Sequence, residues 1–410
     1  MKSSKDLALP KLRSDVHTAL KHWHTVDEKS ESVLAYLLLV QDRVPELGPQ
    51  TPAAMRLATN RVLLAGLEQL EKQQPQAAHI LKKRFHDQET MQSVSWQLDL
   101  SVDQVKHKQR EALWLLAKIL YALEMEVREA YITRQEGQLE ARSYTQLFGV
   151  DALSERVYTL LTTTAAPWVI TLVGIGGIGK TSLANHAVRQ AIRQLVYEEV
   201  LWLKIANQPK KASPLIGPEQ TFQHLISQLS QKLLPALPRE TAVKERLRQL
   251  QQLFKSQAYL IVVDNLELEA DTAYLLAELV TLAQPSRFLL TARTRPVDHA
   301  GSLSINLPEL SQADSVALIR QYAAEIGFVQ AAAAEEEELL PIYQVVGRKS
   351  VCLKTPRQPG KSAPPTCAVG FLKATAVGRW RRSLSLYLAR NVAHPQPGCQ
   401  SGVGHHAFGC

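Results

Sequence analysis

The sequence predicts an α/β protein in which a parallel β-sheet carries helices on both faces and is preceded by an all-α region. The first observation is a series of apolar runs of strand length, at 169–173, 200–205, 259–264 and 287–293. The second is that amphipathic helical patterns separate these runs, as is typical of parallel sheets with crossover helices. The third is the helical periodicity of residues 53–135.

Composition and charge exclude several classes of protein. No stretch approaches the roughly 18 apolar residues of a membrane helix, and the N-terminus lacks the apolar segment of a secretory signal. A cytoplasmic protein without membrane contact is therefore expected. The net charge is +8, but residues 348–410 contain ten Lys and Arg residues and no acidic residue. Subtracting those ten charges leaves −2 for residues 1–347, so the basic character belongs to the tail alone.

A phosphate-binding loop is predicted directly after the first apolar run. Residues 174–181 match Gly-x-x-x-x-Gly-Lys-Thr in full, and a helical pattern follows them. Glycines allow backbone N–H groups to point at phosphate oxygens, and the helix N-terminus adds partial positive charge. Lys180 would contact the β- and γ-phosphates, and the Thr181 hydroxyl would bind Mg²⁺. The predicted nucleotide contacts in the loop are Gly174, Gly176, Gly177, Ile178, Gly179, Lys180, Thr181 and Ser182.

Two charged residues that end later strands are the candidate catalytic residues, Asp264 and Arg293. Ligands of open parallel sheets bind at the carboxyl ends of the strands, where both residues fall together with Gly174. Asp264 is predicted to hold Mg²⁺ beside Thr181, and its alternative role is a helix N-cap. Arg293 is predicted to contact the γ-phosphate. The alternatives are that Arg295 does so, or that Arg293 is a solvated arginine without a ligand.

The all-α region contains a two-helix pattern. Residues 90–98 predict one short helix, Asp99 lies in a turn, and Ser101 is the predicted N-cap of the next helix. The pattern resembles the helix-turn-helix of sigma factor region four, which binds promoter DNA, although that family usually has glycine where this chain has Asp99. The resemblance implies that three residues contact the major groove, namely Lys106, His107 and Arg110.

The alternative for this two-helix pattern is a module for protein contacts. Residues 80–118 contain seven basic and five acidic residues, which is a weak electrostatic indication of DNA binding. Both interpretations are kept, because the sequence favours neither.

Five segments of the later chain follow one another in a characteristic order. They are Phe148-Gly149-Val150, the 174–182 loop, residues 260–265, residues 288–293, and Leu307–Leu310 with the helical pattern of 314–326. Together they resemble the NB-ARC branch of the STAND signalling ATPases over roughly 144–347. The resemblance implies that Phe148, Gly149 and Val150 contact adenine and that a small helical ARC subdomain follows the sheet. It also implies Mg²⁺ with ADP in the resting state and ATP in the active state.

Three departures from that family affect the expected activity. Val150 replaces the arginine that usually ends the adenine-contacting segment. Asn265 stands where many relatives have a second aspartate, and because an amide cannot accept a proton as a carboxylate does, slow ATP hydrolysis is expected. After Gly347 the chain continues with Arg348 and lacks the Gly-x-Pro loop of the family.

The domain order expected from these patterns comprises a 1–48 N-terminal helical segment, a 53–137 helix-turn-helix-like domain, a 144–305 nucleotide-binding domain, a partial ARC subdomain over 306–347 and a disordered basic tail over 348–410. The leading hypothesis is a nucleotide-dependent signalling switch, with the α-helical module as effector or DNA-binding element and with oligomers driven by nucleotide. The alternatives are a helix-turn-helix transcription regulator with an accessory ATP site, and a small-molecule NTPase.

The tail from residue 348 onward is predicted to come from a shifted reading frame. Acidic residues vanish there, all four cysteines of the chain lie there, and the change occurs inside the expected subdomain rather than at a linker. Such a segment buries too little apolar area to offset its ordering entropy. The alternative is a basic tail with a function of its own.

Overall fold

Helices make up the first part of the chain, and a parallel sheet lies in the second. The computed structural model describes residues 7–24, 32–47, 51–205, 217–238, 240–325, 327 and 329–339. The chain divides into two compact units. The first unit comprises residues up to Gln138 together with Ala191–Glu199, and the second comprises Leu139–Gln190 and the described residues from Val200 onward. The predictions for the 348–410 tail and for 340–347 lie outside the described residues.

The first unit is built of helices. They are α1 (Leu9–Lys21), α2 (Leu38–Gln41), a 3-10 turn (Pro45–Leu47), α3 (Pro52–Gln73), α4 (Pro75–Leu81), a π-helical turn (Lys82–His86), α5 (Met91–Leu98) and α6 (Val102–Gly137). Proline occupies the first position of α3 and α4, where its fixed φ favours helix initiation and no amide donor is needed. Residues of the predicted 1–48 segment and of the 53–137 module share one core, which includes Leu12, Leu37, Leu63, Leu67, Leu116 and Leu120.

The α5–α6 pair has the local geometry that the sequence predicts. Thr90 caps α5 by accepting the backbone N–H of Ser93, and Ser101 and Gln104 form a reciprocal capping box at the start of α6. Asp99 between the helices has φ +53°, the left-handed conformation that glycine would adopt without strain. The N-cap prediction for Ser101 is thus confirmed, but α6 is much longer than its partner, at 36 residues.

A buried carboxylate anchors the middle of α6 to the start of α2. Glu124 is fully buried, and its two oxygens accept the backbone N–H groups of Leu38 and Leu39 at 3.1 and 3.0 Å. The Nε of Arg128, one turn along α6, donates to the same carboxylate at 2.7 Å. The first N–H groups of a helix have no acceptor within the helix, and Glu124 provides acceptors for two of them in α2. Arg128 in turn balances the buried negative charge of Glu124.

The second unit contains a five-stranded parallel sheet. Its strands are β1 (Val169–Val173), β2 (Glu199–Lys204), β3 (Tyr259–Leu266), β4 (Arg287–Ala292) and β5 (Ser302–Asn306), in the spatial order β2-β3-β4-β1-β5. The helices of this part of the chain are α7 (Asp151–Thr162), α8 (Lys180–Ile192), α9 (Pro218–Leu233), α10 (Val243–Ser256), α11 (Glu269–Leu282), α12 (Gln312–Glu325) and α13 (Val329–Ala332). The predicted fold class, a parallel sheet with helices after an all-α region, is confirmed.

The strand order determines which strand ends meet. β1 and β4 consist entirely of buried residues, as expected for central strands of a covered parallel sheet. Because β4 lies between β1 and β3, the loops that follow these three strands emerge side by side at one edge. This edge gathers the phosphate-binding loop, Asp264 and Arg293.

Two details of the sheet differ from the sequence prediction. β5 was not predicted, because Ser302–Asn306 contains only two apolar residues; it pairs in parallel with β1 at the sheet edge. β3 was predicted to end at Asp264, but it continues to Leu266 with an irregular register after Val263. In the part of the chain that the structure describes, no helix is both long and apolar enough to span a membrane.

Candidate nucleotide-binding site

The loop after β1 adopts backbone conformations that require glycine. Gly177 and Gly179 have φ of +86° and +109°, which side chains of L-residues rarely tolerate. A Cβ placed on Gly176 would lie 3.8 Å from the guanidinium group of Arg293, and both residues line the same cavity. Ile178 is buried, and its Cγ2 would lie 3.0 Å from a Cβ on Gly174. The loop therefore leaves room for an anion beside Gly176.

Lys180 begins α8 and folds back over the loop. Its Nζ donates to the backbone oxygens of Gly174 and Ile175 at 2.7 and 3.0 Å. Burial, followed by the nearby guanidinium of Arg293, lowers the pKa of Lys180, while Asp264 and Glu267 act in the opposite direction. Two cations near one another favour the binding of an anion at this place.

Thr181 and Asp264 meet, as the prediction of a shared metal site requires. The Thr181 hydroxyl donates to Oδ1 of Asp264 at 2.9 Å, and the Thr291 hydroxyl donates to the same oxygen at 2.6 Å. Asp264 is buried, and the N-cap of the next helix, α11, is Leu268, which excludes the alternative role of Asp264 as a helix cap. A carboxylate beside a hydroxyl is a donor set of hard oxygens, which fits Mg²⁺.

Arg293 rather than Arg295 lies at the loop. Arg293 lines a cavity together with Gly176, Lys180 and Thr181. Arg295 instead forms an ion pair with Asp298 at 3.2 Å. Of the two candidate arginines, Arg293 is therefore the one beside the loop, and its contact with phosphate stays a prediction.

A second cavity, of about 200 Å³ and called the apolar cavity below for its apolar residues, is lined by apolar and polar residues from three separate segments. The apolar and aromatic residues of its lining include Phe148, Val150, Ile178, Leu183, Leu310, Leu318 and Tyr322. The polar residues of its lining include Arg142, Ser182, Gln321 and Glu325. Gly179 lines both this cavity and the one with Arg293. Clefts that combine apolar walls with a few polar groups are typical of small-molecule sites, and this one adjoins the glycine-rich loop.

Gly149 does not line the cavity but determines how its walls meet. Its φ is +64°, and a Cβ there would lie 2.6 Å from Oδ2 of Asp314 in the first turn of α12. Ser311 caps this turn, since its hydroxyl accepts the backbone N–H of Asp314 at 3.1 Å. The close approach of α12 to the 148–150 segment thus depends on glycine at position 149.

Replacing Gly149 with Ala is expected to weaken nucleotide binding and lower the stability of the second unit, because the left-handed backbone costs about 1–2 kcal/mol for a side chain and the Cβ clashes with Asp314. Isothermal titration with ADP and thermal unfolding would measure both effects. Gly137→Ala is a matched control, since nothing lies within 4 Å of a Cβ there. Equal behaviour of the two variants would contradict this prediction.

The NB-ARC domain family matches residues 150–326, the stretch that contains the glycine-rich loop, Asp264, Arg293 and α12. This segment is an NB-ARC domain. NB-ARC domains belong to nucleotide-binding signalling ATPases, so the predicted resemblance is confirmed for this part of the chain. No curated protein matches the sequence at a significant level.

The chain is similar to solved structures at low sequence identity, as two of them illustrate. A STAND protein with a tetratricopeptide repeat sensor from Pyrococcus horikoshii is 16% identical with a TM-score of 0.34, over 59% of this chain and 33% of that one. Trip13 from Rhizobiales is 13% identical with a TM-score of 0.34, over 60% of this chain and 92% of that one. The chain thus spans about a third of the length of the STAND protein.

The site also contains residues that the sequence analysis did not single out. Thr291 bonds Asp264, Glu267 pairs with Arg293 at 2.6 Å, and Tyr322 lines the apolar cavity. Only Tyr322 leaves a signal in the sequence, because it follows Leu318 at the four-residue spacing of one helix face. The other two depend on how neighbouring strands are aligned.

The three proposed DNA-contact residues lie on the solvent-facing side of α6, near its start. Lys106, His107 and Arg110 are all exposed. Lys106 pairs with Asp103 at 3.0 Å, and His107 lies 3.2 Å from Glu111. The structure therefore brings the three residues together on one face, with acidic neighbours beside two of them, and their contact with DNA stays a prediction.

Proposed function

We propose that the protein is a nucleotide-dependent switch that binds ADP or ATP and hydrolyses ATP slowly. The observation behind this proposal is the junction of two cavities at Gly179, one apolar and one lined by Lys180 and Arg293. Helix α12 supplies Leu318 and Tyr322 to the apolar cavity, so an occupied site would hold α12 against the phosphate-binding loop. Nucleotide state would thereby bias the position of this helix.

In this proposal, four residues of the site bind phosphate, hold Mg²⁺ or orient a ligand of Mg²⁺. Lys180 would bind the β- and γ-phosphates once its two backbone acceptors, Gly174 and Ile175, are exchanged for phosphate oxygens. Thr181 and Asp264 would hold Mg²⁺, which when bound neutralises phosphate charge. Thr291 orients the Asp264 carboxylate by hydrogen bonding the oxygen that also meets Thr181.

A titration of the full chain tests the binding proposal. Isothermal titration with ADP and with a non-hydrolysable ATP analogue, each with and without Mg²⁺, should give one site per chain. GDP is expected to bind less well, because the family resemblance implies adenine in the apolar cavity. A chain that binds none of these nucleotides would contradict the proposal.

ATP turnover is expected to be well below the roughly 10 s⁻¹ typical of enzymes. Asn265 has no carboxylate to accept a proton, and its side-chain amide donates weakly to the backbone oxygen of Ile205, at 3.4 Å. Phosphate release measured at saturating ATP would give the rate. Asn265→Asp should raise it and Asn265→Ala should not, while ordinary turnover by the unaltered chain would contradict the expectation.

The proposed output of the switch is the first unit, as effector or DNA-binding module, with nucleotide-driven oligomers as the active form. DNA binding is the second candidate function, favoured by the exposed basic cluster near the capped start of α6. Light scattering of the full chain with each nucleotide would report the oligomers.

The reading-frame proposal for residues 348–410 has a direct test, which is translation of the two other reading frames of the gene from codon 347.

If α6 contacts DNA, changing Lys106 or Arg110 to Ala should cost about 1–3 kcal/mol of binding free energy, and affinity should fall steeply with salt. Fluorescence anisotropy with duplexes at several ionic strengths would measure both. Lys118→Ala, at an exposed position further along α6, is the control and should have a smaller effect. If no duplex binds at low ionic strength, the module serves protein contacts instead.

A further inference from the structure

The acidic residue Glu267 engages the arginine of the phosphate cavity. Its Oε1 lies 2.6 Å from Nη2 of Arg293, and both side chains are partly exposed, at 28% and 52%. No sequence pattern assigns Glu267 a role, and nucleotide binding by Lys180, Thr181 and Asp264 does not require it.

The sheet fixes this pair in place. In the β3–β4 register Leu266 lies opposite Ala292, and the backbone N–H of Arg293 donates to the oxygen of Leu266 at 3.2 Å. Glu267 and Arg293 are the next residues along each segment, so their side chains meet where the two strands end. Because the irregular register after Val263 precedes this point, the contact depends on the bulge at Asn265.

The same guanidinium lies at the mouth of the phosphate-binding loop. Its Cζ would be 3.8 Å from a Cβ on Gly176, and Arg293 lines the cavity that Lys180 and Thr181 also line. An anion in this cavity and the Glu267 carboxylate thus have access to the same cation. Two anions near one arginine compete for its hydrogen-bond donors and repel one another.

We propose that Glu267 is a positioning residue that holds Arg293 as a competing counter-ion and thereby lowers the affinity for nucleoside triphosphate relative to diphosphate. The inference rests on the proposed nucleotide binding and concerns how that site distinguishes its two ligands. A terminal phosphate takes the guanidinium from the carboxylate, whereas a diphosphate leaves the pair intact. Partly exposed ion pairs are weak, so the exchange has a small cost.

The exchange also links nucleotide state to helix α11. Glu267 lies two residues before α11 begins at Glu269, so release of its carboxylate frees the connection between β3 and that helix. Removing the carboxylate should favour the triphosphate-bound state without altering the loop itself.

Titrations of the full chain with ADP and with a non-hydrolysable ATP analogue, both with Mg²⁺, test the proposal. Glu267→Gln should raise the affinity for the analogue about fivefold relative to that for ADP, the order expected for loss of one partly exposed ion pair. Glu269→Gln makes the same charge change at an exposed residue two positions along, and it should leave the ratio unchanged. In an Arg293→Gln background, Glu267→Gln should no longer change the ratio.

The outcomes separate the two proposals. If the unaltered chain binds neither nucleotide, the proposed function is overturned, and this inference with it. If the unaltered chain binds both and Glu267→Gln leaves the ratio unchanged, or Glu269→Gln shifts it equally, only the role of Glu267 is overturned. The ADP affinity of each variant reports that its site is folded.

Discussion

Lys180→Ala is expected to abolish nucleotide binding under ordinary titration conditions. The ammonium group is partly buried in the loop with two backbone oxygens as its acceptors. Without it, the phosphate charge has one cation fewer, a loss of about 2–4 kcal/mol. Isothermal titration with ADP and Mg²⁺ measures the change directly.

A second lysine variant separates the loss of the Lys180–phosphate contact from the loss of one positive charge anywhere on the chain. Lys232 near the end of α9 is exposed and remote from the loop in sequence, so Lys232→Ala should bind ADP like the unaltered chain. Unchanged affinity in Lys180→Ala would show that the phosphates bind elsewhere. Thermal unfolding of both variants checks that neither loses its fold.

Glu124→Ala is expected to cause a large loss of stability in the first unit. Its removal leaves a mostly buried Arg128 without its carboxylate, and the N–H groups of Leu38 and Leu39 without acceptors. Breaking one side of a buried ion pair costs about 3–5 kcal/mol. Urea unfolding followed by circular dichroism would measure the change, because the first unit is rich in helix over its described residues.

The neighbouring residue Glu126 provides the matched control for that experiment. It is exposed on α6, so Glu126→Ala should change the free energy of unfolding by less than about 0.5 kcal/mol. Glu124→Gln should be intermediate, since an amide oxygen accepts one N–H group but does not balance the charge of Arg128. Similar losses in the Glu124 and Glu126 variants would contradict the anchoring role of Glu124.

Much of the sheet was predictable because its central strands are continuous apolar runs. β1, β3 and β4 are buried on both faces, and such strands need apolar residues at nearly every position. β5 lies at the sheet edge with two apolar residues among five, which is too little pattern to distinguish a strand from a loop.

Some residues of the candidate site could be predicted from local sequence, and others depend on contacts between distant segments. The loop glycines, Lys180 and the meeting of Thr181 with Asp264 follow from a motif and from the rule that parallel strands end at one edge. The contact of Glu267 with Arg293 depends on a bulge and on strand register, neither of which leaves a periodic pattern.

The apolar cavity is assembled from segments that are far apart along the chain. Both the 142–150 segment and α12 line it, with the whole sheet between them in sequence. A molecule bound between them acts as a reversible crosslink that closes a loop containing that sheet. Because such a ligand binds only the folded chain, a hundredfold excess over its dissociation constant adds about 2.7 kcal/mol to folding. A bound ligand would therefore also protect the chain from proteases that cleave its unfolded state.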